Sequence, residues 1–594
     1  MSQFDLKIAI GGAAGQGIAS VGNILARIFA RRGLHIVAYN AYQSIIRGGH
    51  TFLTIRVSGD PIATHGDTVD ILICLNQDTL DRHIVNLRPG SYVIYDGEKL
   101  KPLEAPAKVN LCALPISELA KNPTNKMLSN TIAMGAALYL AGFDIDPLAD
   151  SLTQQFSRKG PQVVEENLGS AQAGFDFAKE HFSPLAHTIP AEQQALPVVT
   201  GNQALAMGGA AAGVKFYCAY PMSPATGVLH WMAANGPDLG IVVRQVEDEI
   251  GVITMAIGAA HAGARVMCAT SGGGFALMTE GIGFAAMTET PVVVIDVQRA
   301  GPSTGVPTKT EQGDLWQMLG ASQGDFPRII VAPTDLADCF TTIPETFNIV
   351  DHLQCPAMVL TDLLLSEGTG TVHPDVFKWD QKIDRGAMIT ASNGSNGDGP
   401  YLRYKLTDSG ISPRAIPGLE GYIHVVASDE HDEDGILISD EFTNPHKRQA
   451  MVEKRGRKME AAAAMIPAPQ LEGSPGAEVT LLGWGSTKGV IQEAMAQLNA
   501  DGVTVNHLQI KWLVPLHSDE IDAILSKSKK VFIVENNYSG QFARYLRSET
   551  GFNADGHIRK YDGEPFQPHH VVDGVKELLK GKLTQYVPTH EIMV

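Results

Sequence analysis

Short apolar runs that end in glycine or proline and give way to helical patterns recur from one end of this 594-residue chain to the other, and few architectures tolerate that alternation. It begins at once: "LKIAIGG" reads as a strand, a glycine-rich turn follows, and "GNILARIFARRG" carries helical periodicity. Further strand-like runs are "HIVAYNAY", "TFLTIRV", "DILICLN" and "SYVIYDG", with "NTIAMGAALYLAGF" as a later helix. Strands alternating with helices predict an α/β protein built on mostly parallel, doubly wound sheets. A chain of this length exceeds what one core can fill, so three or four domains are expected.

Changes of texture mark the boundaries. The first segment, residues 1–190, closes in "FSPLAHTIPAEQQALP", where prolines without periodicity predict a linker. The second, residues 198–465, supplies "VKFYCAYP", "GIVVRQVE", "RVMCATS", "PVVVIDVQR", "RIIVAP" and "AMVLTD" as strands. Among them "DEIGVITMAIGAAHAG" reads as a helix packed closely against backbone. The polar stretch "ASNGSNGDGP" is a surface loop or junction. The acidic run "SDEHDEDG" is expected as an exposed turn, and "NPHKRQAMVEKRGRKME" as a basic helix. After the Pro/Gly-rich "IPAPQLEGSPGAE", a third α/β segment, residues 474–594, contains "VTLLGWGS", "VTVNHLQI" and "KVFIVEN".

Charge and cysteine use narrow the function. A net charge of −18 argues against a nucleic-acid or anionic-membrane surface, so a site for an anion must gather positive charge locally. No run of 18 apolar residues occurs, and "MSQFDLKIAIGG" lacks the pattern of a secretory leader, so a cytoplasmic location is expected. The six cysteines are scattered without a C-x-x-C pair, a spacing unsuited to an iron–sulfur cluster or a Cys-rich zinc site. "SDEHDEDG" does not follow the order of a calcium loop, and no metal site is expected in this chain.

Several strand ends carry residues suited to chemistry. In "GGAAGQG" the glycines Gly11, Gly12, Gly15 and Gly17 would let backbone amides approach a phosphate at a helix N-terminus, or simply form a tight turn. In "YQSIIRGGHTF", Arg47 with Gly48 and Gly49 suits a diphosphate or acid group as well as it suits a surface turn. The loop "YPMSPAT" offers the hydroxyls of Ser223 and Thr226, stiffened by Pro221 and Pro224. Taken alone it is a turn. With "RQVEDEIG", "ATSGGGF" and "QRAGPSTGVPT" it makes four loops at strand ends, where ligands bind in open α/β sheets.

Those motifs, with "QVEDE", "TSGGGFALMTE", "VQRAGPSTGVPTKTEQGDL" and "VENNYSGQFARYLR", resemble the 2-oxoacid:ferredoxin oxidoreductases, and specifically the subunit that fuses a γ domain ahead of the α portion. The likeness runs through nearly the whole chain. It implies a Rossmann-like γ domain over residues 1–190, a thiamine-diphosphate-pyrimidine-type domain over 198–465 and a transketolase C-terminal-like domain over 474–594. It further implies that Ser223 contacts substrate, where the family has threonine; that Glu247 touches the aminopyrimidine ring of thiamine diphosphate; that Arg299 binds the 2-oxoacid carboxylate; and that Thr308 is a further substrate-side group. The chemistry agrees. A carboxyl group bonded to the aminopyrimidine promotes its imino tautomer, and an arginine fork matches a carboxylate. The alternatives are an acidic helix N-terminus, favoured for Glu249, and an ion pair between Arg299 and Asp296. Arg244 and Lys309 are secondary candidates.

What is missing bears on partners. The family resemblance calls for a metal-binding G-D-G followed by Asn-Asn to hold the diphosphate. The "GDG" at Gly397–Gly399 follows no strand and is not followed by Asn-Asn, and the pair Asn536-Asn537 lies in the last segment, so neither is read as that site. A second, β subunit is therefore expected to bring thiamine diphosphate, Mg2+ and a [4Fe–4S] cluster, in a dimer of α–β heterodimers that passes electrons to ferredoxin. The implied reaction converts a 2-oxoacid and coenzyme A to acyl-CoA and carbon dioxide, with 2-oxoglutarate the first choice of substrate and the γ domain helping to position coenzyme A. Pyruvate, indolepyruvate or a branched oxoacid are the competing substrates, and a noncatalytic nucleotide-binding or scaffolding subunit is the competing role.

Overall fold

The computed structural model describes residues 4–43, 48–102, 106–122, 127–391, 400–438 and 444–589. The alternation resolves into three main sheets and a two-stranded ribbon. The first sheet has eight strands in the spatial order Asn110–Leu114, Tyr92–Asp96, Ile71–Cys74, Asp5–Ala14, Gly48–Ser58, His35–Ala41, Thr369–Thr371 and Val198–Thr200. Its first four strands pair in parallel, whereas Gly48–Ser58 runs antiparallel to both Asp5–Ala14 and His35–Ala41. Connection length explains this departure from a mostly parallel sheet. Only residues 42–47 separate His35–Ala41 from Gly48–Ser58, and a parallel crossover needs about a dozen.

Residues 182–197 lie back along the first segment, with Gln193 donating its N–H to the Arg32 carbonyl at 3.0 Å and Leu196 to that of Ala30 at 2.9 Å. The chain then adds Val198–Thr200 and, much later, Thr369–Thr371 to the first sheet, so the first two segments share it.

The second sheet runs Trp512–Val514, Ile329–Val331, Ala357–Asp362, Val293–Gln298, Val266–Thr270, Phe216–Ala219, Val242–Gln245. All pairs are parallel except that of Trp512–Val514, a strand contributed by the third segment. Its central strands are buried on both faces, as a parallel sheet under two helix layers requires. Val293, Ile295 and Val297 enter the core shared with helices Gly201–Ala211 and Leu336–Leu353. Val292 and Val294 enter the opposite core, under helices Glu249–His261 and Gly272–Met287. The third sheet, Leu471–Glu472, Val505–Ile510, Val479–Trp484, Val531–Glu535, Gly556–Arg559 and Gln585–Tyr586, is parallel apart from its first strand.

The acidic run at 428–435 is not the exposed turn expected of it. His431 is fully buried, Glu430 pairs with Arg448 and Arg455 at 2.8 Å each, and Asp432 pairs with Lys447. The basic helix Asn444–Met465 supplies the counter-charges. Its inner face places the Lys454 and Lys458 amines 2.5 and 2.7 Å from the carboxylate of Glu289, all three side chains being fully buried.

Candidate active site

Strand Phe216–Ala219 lies between Val242–Gln245 and Val266–Thr270, so the strand order reverses there and the carboxyl ends of the parallel strands open a crevice. The loop 220–225 crosses the end of Val266–Thr270, where the Thr270 hydroxyl faces the Met222 sulfur at 3.8 Å. From the next strand, Arg299 donates Nη1 to the Ser223 carbonyl at 2.7 Å, and from below Asn202 donates Nδ2 to the Pro224 carbonyl at 2.9 Å. The proline-stiffened loop is thus clamped on both sides. Ser223 and Arg299 come together as expected, through the serine's backbone oxygen, while the Ser223 residue is exposed.

A cavity of about 660 Å3 opens beside this clamp. Met222, Gly272, Gly273, Arg299, Glu311 and Asp314 line it, and the third segment closes it with Asn537, Tyr538, Ser539 and Gln541. Thr308 is buried away from this wall, one residue before Lys309, whose amine pairs with Glu564 of the third segment. Sequence reasoning missed the third segment's part. Gln312 accepts from the Asn536 N–H at 3.0 Å and donates Nε2 to the Trp484 carbonyl at 2.9 Å, while Asn537 Nδ2 holds the Gln312 carbonyl at 3.0 Å. The Asn536-Asn537 pair therefore fixes the loop that carries Arg299, Glu311 and Asp314. The one available signal was that "VENNYSGQ" sits at the carboxyl end of a strand.

The acidic trio at 247–249 divides its labour differently from the sequence expectation. Glu247 is exposed. Asp248 caps helix Glu249–His261, its carboxylate accepting the Gly251 N–H at 2.7 Å. Glu249, the first helical residue, turns inward: it is 3% exposed, and its Oε1 is buried without a hydrogen-bond partner among the described residues. Gly274, in the first turn of the neighbouring helix, makes the room, since a Cβ there would lie 2.5 Å from that oxygen. A role that demands a buried acid is met at Glu249 and not at Glu247.

Electrostatics separate the two sides of the crevice. Burial weakens the charge on half-buried Arg299, and Asp314 and Asp296 work to restore it. Asp296 makes no direct ion pair with it, its carboxylate oxygens having no hydrogen-bond partner among the described residues. Burial, helped by Asp314, pushes Glu311 up to about 7.

The glycine motifs of the first segment form a second locus. Gly11 and Gly12 end strand Asp5–Ala14, and Gly15 and Gly17 adopt φ of 92° and 83° before helix Ile18–Arg31. Gln16 accepts the Ala13 N–H at 2.6 Å, so the turn satisfies one of its own amides. Ala14 pairs with Gly48, which brings "GGAAGQG" and the Gly48-Gly49 turn side by side. Arg47 lies outside the described residues, as does the "GDG" at 397–399. Burial lowers the pKa of His50, against the opposing charge of Asp78 at 3.4 Å.

Comparison with known proteins settles the family. Residues 7–177 match the pyruvate ferredoxin/flavodoxin oxidoreductase model, residues 207–452 the thiamine-diphosphate-binding model of pyruvate flavodoxin/ferredoxin oxidoreductase, and residues 471–559 the transketolase C-terminal domain. The 2-oxoacid:ferredoxin oxidoreductase 2 alpha subunit of Aeropyrum pernix is 30% identical over 650 residues, with 99% of each chain covered. The chain belongs to the 2-oxoacid:ferredoxin oxidoreductase family. The 2-oxoglutarate oxidoreductase subunit KorA of Mycobacterium tuberculosis is also 30% identical, over 98% of this chain and 92% of its own. Among solved structures, 2-oxoglutarate:ferredoxin oxidoreductase from Magnetococcus marinus, with 2-oxoglutarate, coenzyme A and succinyl-CoA bound, superposes with a TM-score of 0.91 at 34% identity, covering 98% of this chain and all of that one. The Aeropyrum pernix relatives are named as alpha subunits. Among its described residues no helix is long and apolar enough to cross a membrane.

Proposed function

We propose that this chain is the substrate-binding half of a 2-oxoglutarate:ferredoxin oxidoreductase, which converts 2-oxoglutarate, coenzyme A and two oxidised ferredoxins to succinyl-CoA, carbon dioxide, two reduced ferredoxins and a proton. The observation that carries the reading is the convergence, around the first turn of helix Gly272–Met287, of one cation facing a cavity and one buried carboxyl with a free oxygen. Arg299 binds the oxoacid carboxylate through its fork of N–H donors. The hydrogen bond to the Ser223 carbonyl orients that fork, and Ser223 faces the substrate from the opposite side.

The orphaned Oε1 of Glu249, seated where Gly274 leaves room for it, suits a hydrogen bond to an aminopyrimidine ring. Thiamine diphosphate, when bound, supplies the electron sink for decarboxylation. Glu249 would set Oε1 against the ring nitrogen and favour the imino form, a role that an exposed carboxylate at Glu247 serves poorly. The diphosphate, Mg2+ and [4Fe–4S] groups are assigned to a β subunit. Support for that partner comes from helices Glu249–His261 and Gly272–Met287, which are largely apolar and leave Ile250, Met255 and Leu277 exposed. The six cysteines support it too, each being single and buried. Residues 1–190 serve the coenzyme A side, with the glycine turns and Arg47 at its phosphates, in a cytoplasmic dimer of α–β heterodimers.

The test is a screen of 2-oxoacids with the reconstituted two-subunit enzyme and a low-potential redox dye. Coenzyme A-dependent reduction fastest with 2-oxoglutarate is expected. A faster rate with pyruvate, indolepyruvate or a branched oxoacid would overturn the substrate, and no reduction with any would overturn the function.

A further inference from the structure

We infer that Asp296 and Asp314 share a single proton, and that the resulting monoanionic pair is the buried counter-charge that positions Arg299 in the cavity. This deepens the reading of Arg299 given above and rests on it. Asp296 lies near the end of strand Val293–Gln298, fully buried, and neither of its carboxylate oxygens meets an N–H or O–H donor among the described residues. Asp314 Oδ2 is likewise buried without a donor. Asp314 comes to the same strand end, its N–H held at 3.0 Å by Gln298, two residues beyond Asp296 and on the same face, so the two carboxyls are neighbours.

Two ionised carboxylates in contact and out of water repel strongly, and one proton between them removes the repulsion and gives the orphaned oxygens a hydrogen bond. The contact is built in. The Asp314 N–H is held by Gln298 Oε1 at 3.0 Å, and Gly272 leaves space that a Cβ would take to 2.5 Å from Asp314 Oδ2.

The surroundings fix the charge count. Asp296 is flanked in the sheet by Thr270 and Leu360, neither of them ionisable in this range. From the loops it is faced by Arg299, which favours the anion, and Asp314 is faced in addition by Glu311 across the cavity wall. One proton on the pair gives one negative charge against the one positive charge of Arg299. A second proton would leave the guanidinium without its anchor, and burial together with Asp296 and Arg299 sets the response of Asp314 at about 6. The apparent KM for the oxoacid therefore rises as pH falls through that region, because Arg299 is held less firmly, while KM for coenzyme A does not follow it.

The experiment uses the reconstituted two-subunit enzyme with 2-oxoglutarate. Asp296→Asn keeps one negative charge on Asp314 and supplies an N–H in place of the shared proton, so it is expected to flatten the acid rise in oxoacid KM. The double variant Asp296→Asn/Asp314→Asn removes the charge and is expected to raise oxoacid KM about tenfold or more at neutral pH, with coenzyme A KM unmoved. Glu311→Gln is expected to leave the acid rise in place. The shared proton is read separately as an infrared carbonyl band of a protonated carboxyl at neutral pH, present in the wild type and lost in Asp296→Asn. Absence of that band, or an acid rise that survives Asp296→Asn, overturns the pair. If instead Arg299→Ala leaves oxoacid KM unchanged while the band is present, it is the reading of Arg299 that fails and the pair stands as a carboxyl dyad without that role, which overturns the positioning part of the inference.

Discussion

Replacing Glu249 by glutamine should slow the reaction far more than the same change two residues earlier at Glu247. The magnitude follows from burial. Glu249 is 3% exposed with an oxygen that no donor among the described residues reaches, so that oxygen is left for a ligand, and a positioned acid or base of this kind contributes ~10²–10⁴-fold to rate. That is about 3–5 kcal/mol of barrier. Glu247 is exposed, and an exposed carboxylate away from a packed contact is worth within about 0.5 kcal/mol, roughly twofold. Gly274→Ala provides an independent route to the same defect, because its Cβ would lie 2.5 Å from Glu249 Oε1 and drive the carboxyl from its place. The assay is deuterium exchange at C2 of thiamine diphosphate in the reconstituted complex, followed by rapid acid quench, alongside kcat. If Glu247→Gln slows exchange as much as Glu249→Gln does, or if Glu249→Gln stays within about twofold of wild type, the argument from burial is refuted.

Arg299→Ala should lower kcat/KM for the oxoacid by about thirtyfold or more, as loss of a hydrogen-bonded charge partner does, with KM for coenzyme A unchanged; parallel changes in both constants would make its role structural. Glu289→Gln should leave the buried amines of Lys454 and Lys458 uncompensated at a cost of about 3–5 kcal/mol. A melting temperature several degrees lower is expected, with partial recovery when both lysines are changed to methionine; an unchanged value would show that the network contributes nothing. Burial holds His65 down to about 4 and His570 down to about 3, so below the unfolded value near 6.5 the unfolded chain binds protons that the folded chain does not. Stability should therefore fall as pH drops from about 6.5 towards 4, by up to about 3 kcal/mol for His65 alone, and His65→Gln should flatten part of that slope in melting curves across pH.

The fold was legible wherever a strand was long and apolar. Val293–Gln298 lies inside "PVVVIDVQR", and Val531–Glu535 inside "KVFIVEN", because a fully buried parallel strand must be apolar on both faces. The short edge strands were not. Val198–Thr200 and Thr369–Thr371 have three residues each, too few to show a period, and they exist because partners far along the chain offer an open edge. The antiparallel pairing of His35–Ala41 with Gly48–Ser58 was implied by the short connection between them, a cue that strand-by-strand reading passes over. Within the site, the loop clusters were visible as motifs at strand ends. The inward turn of Glu249 was not, since Glu247, Asp248 and Glu249 look alike until one of them is known to cap the helix.

The charge inventory of the cavity ties substrate choice to the missing partner. Among the described residues that line it Arg299 is the one cation, and Glu311 and Asp314 stand on the same wall. One arginine can neutralise one carboxylate. A monocarboxylic oxoacid would then need nothing further from the wall, whereas the second carboxylate of 2-oxoglutarate would meet acids if it lay against this chain. On the proposed reading its distal end must point away from Glu311, out of the open side of the crevice, to a cation supplied by the β subunit. The exposed apolar residues Ile250, Met255 and Leu277 are what would bring the second subunit close enough to exclude water, and exclusion of water is what gives a single arginine and a single buried glutamate their strength. On that reading, binding of the dicarboxylate and assembly of the subunits would be one event, and selectivity would reside in the contact between the chains.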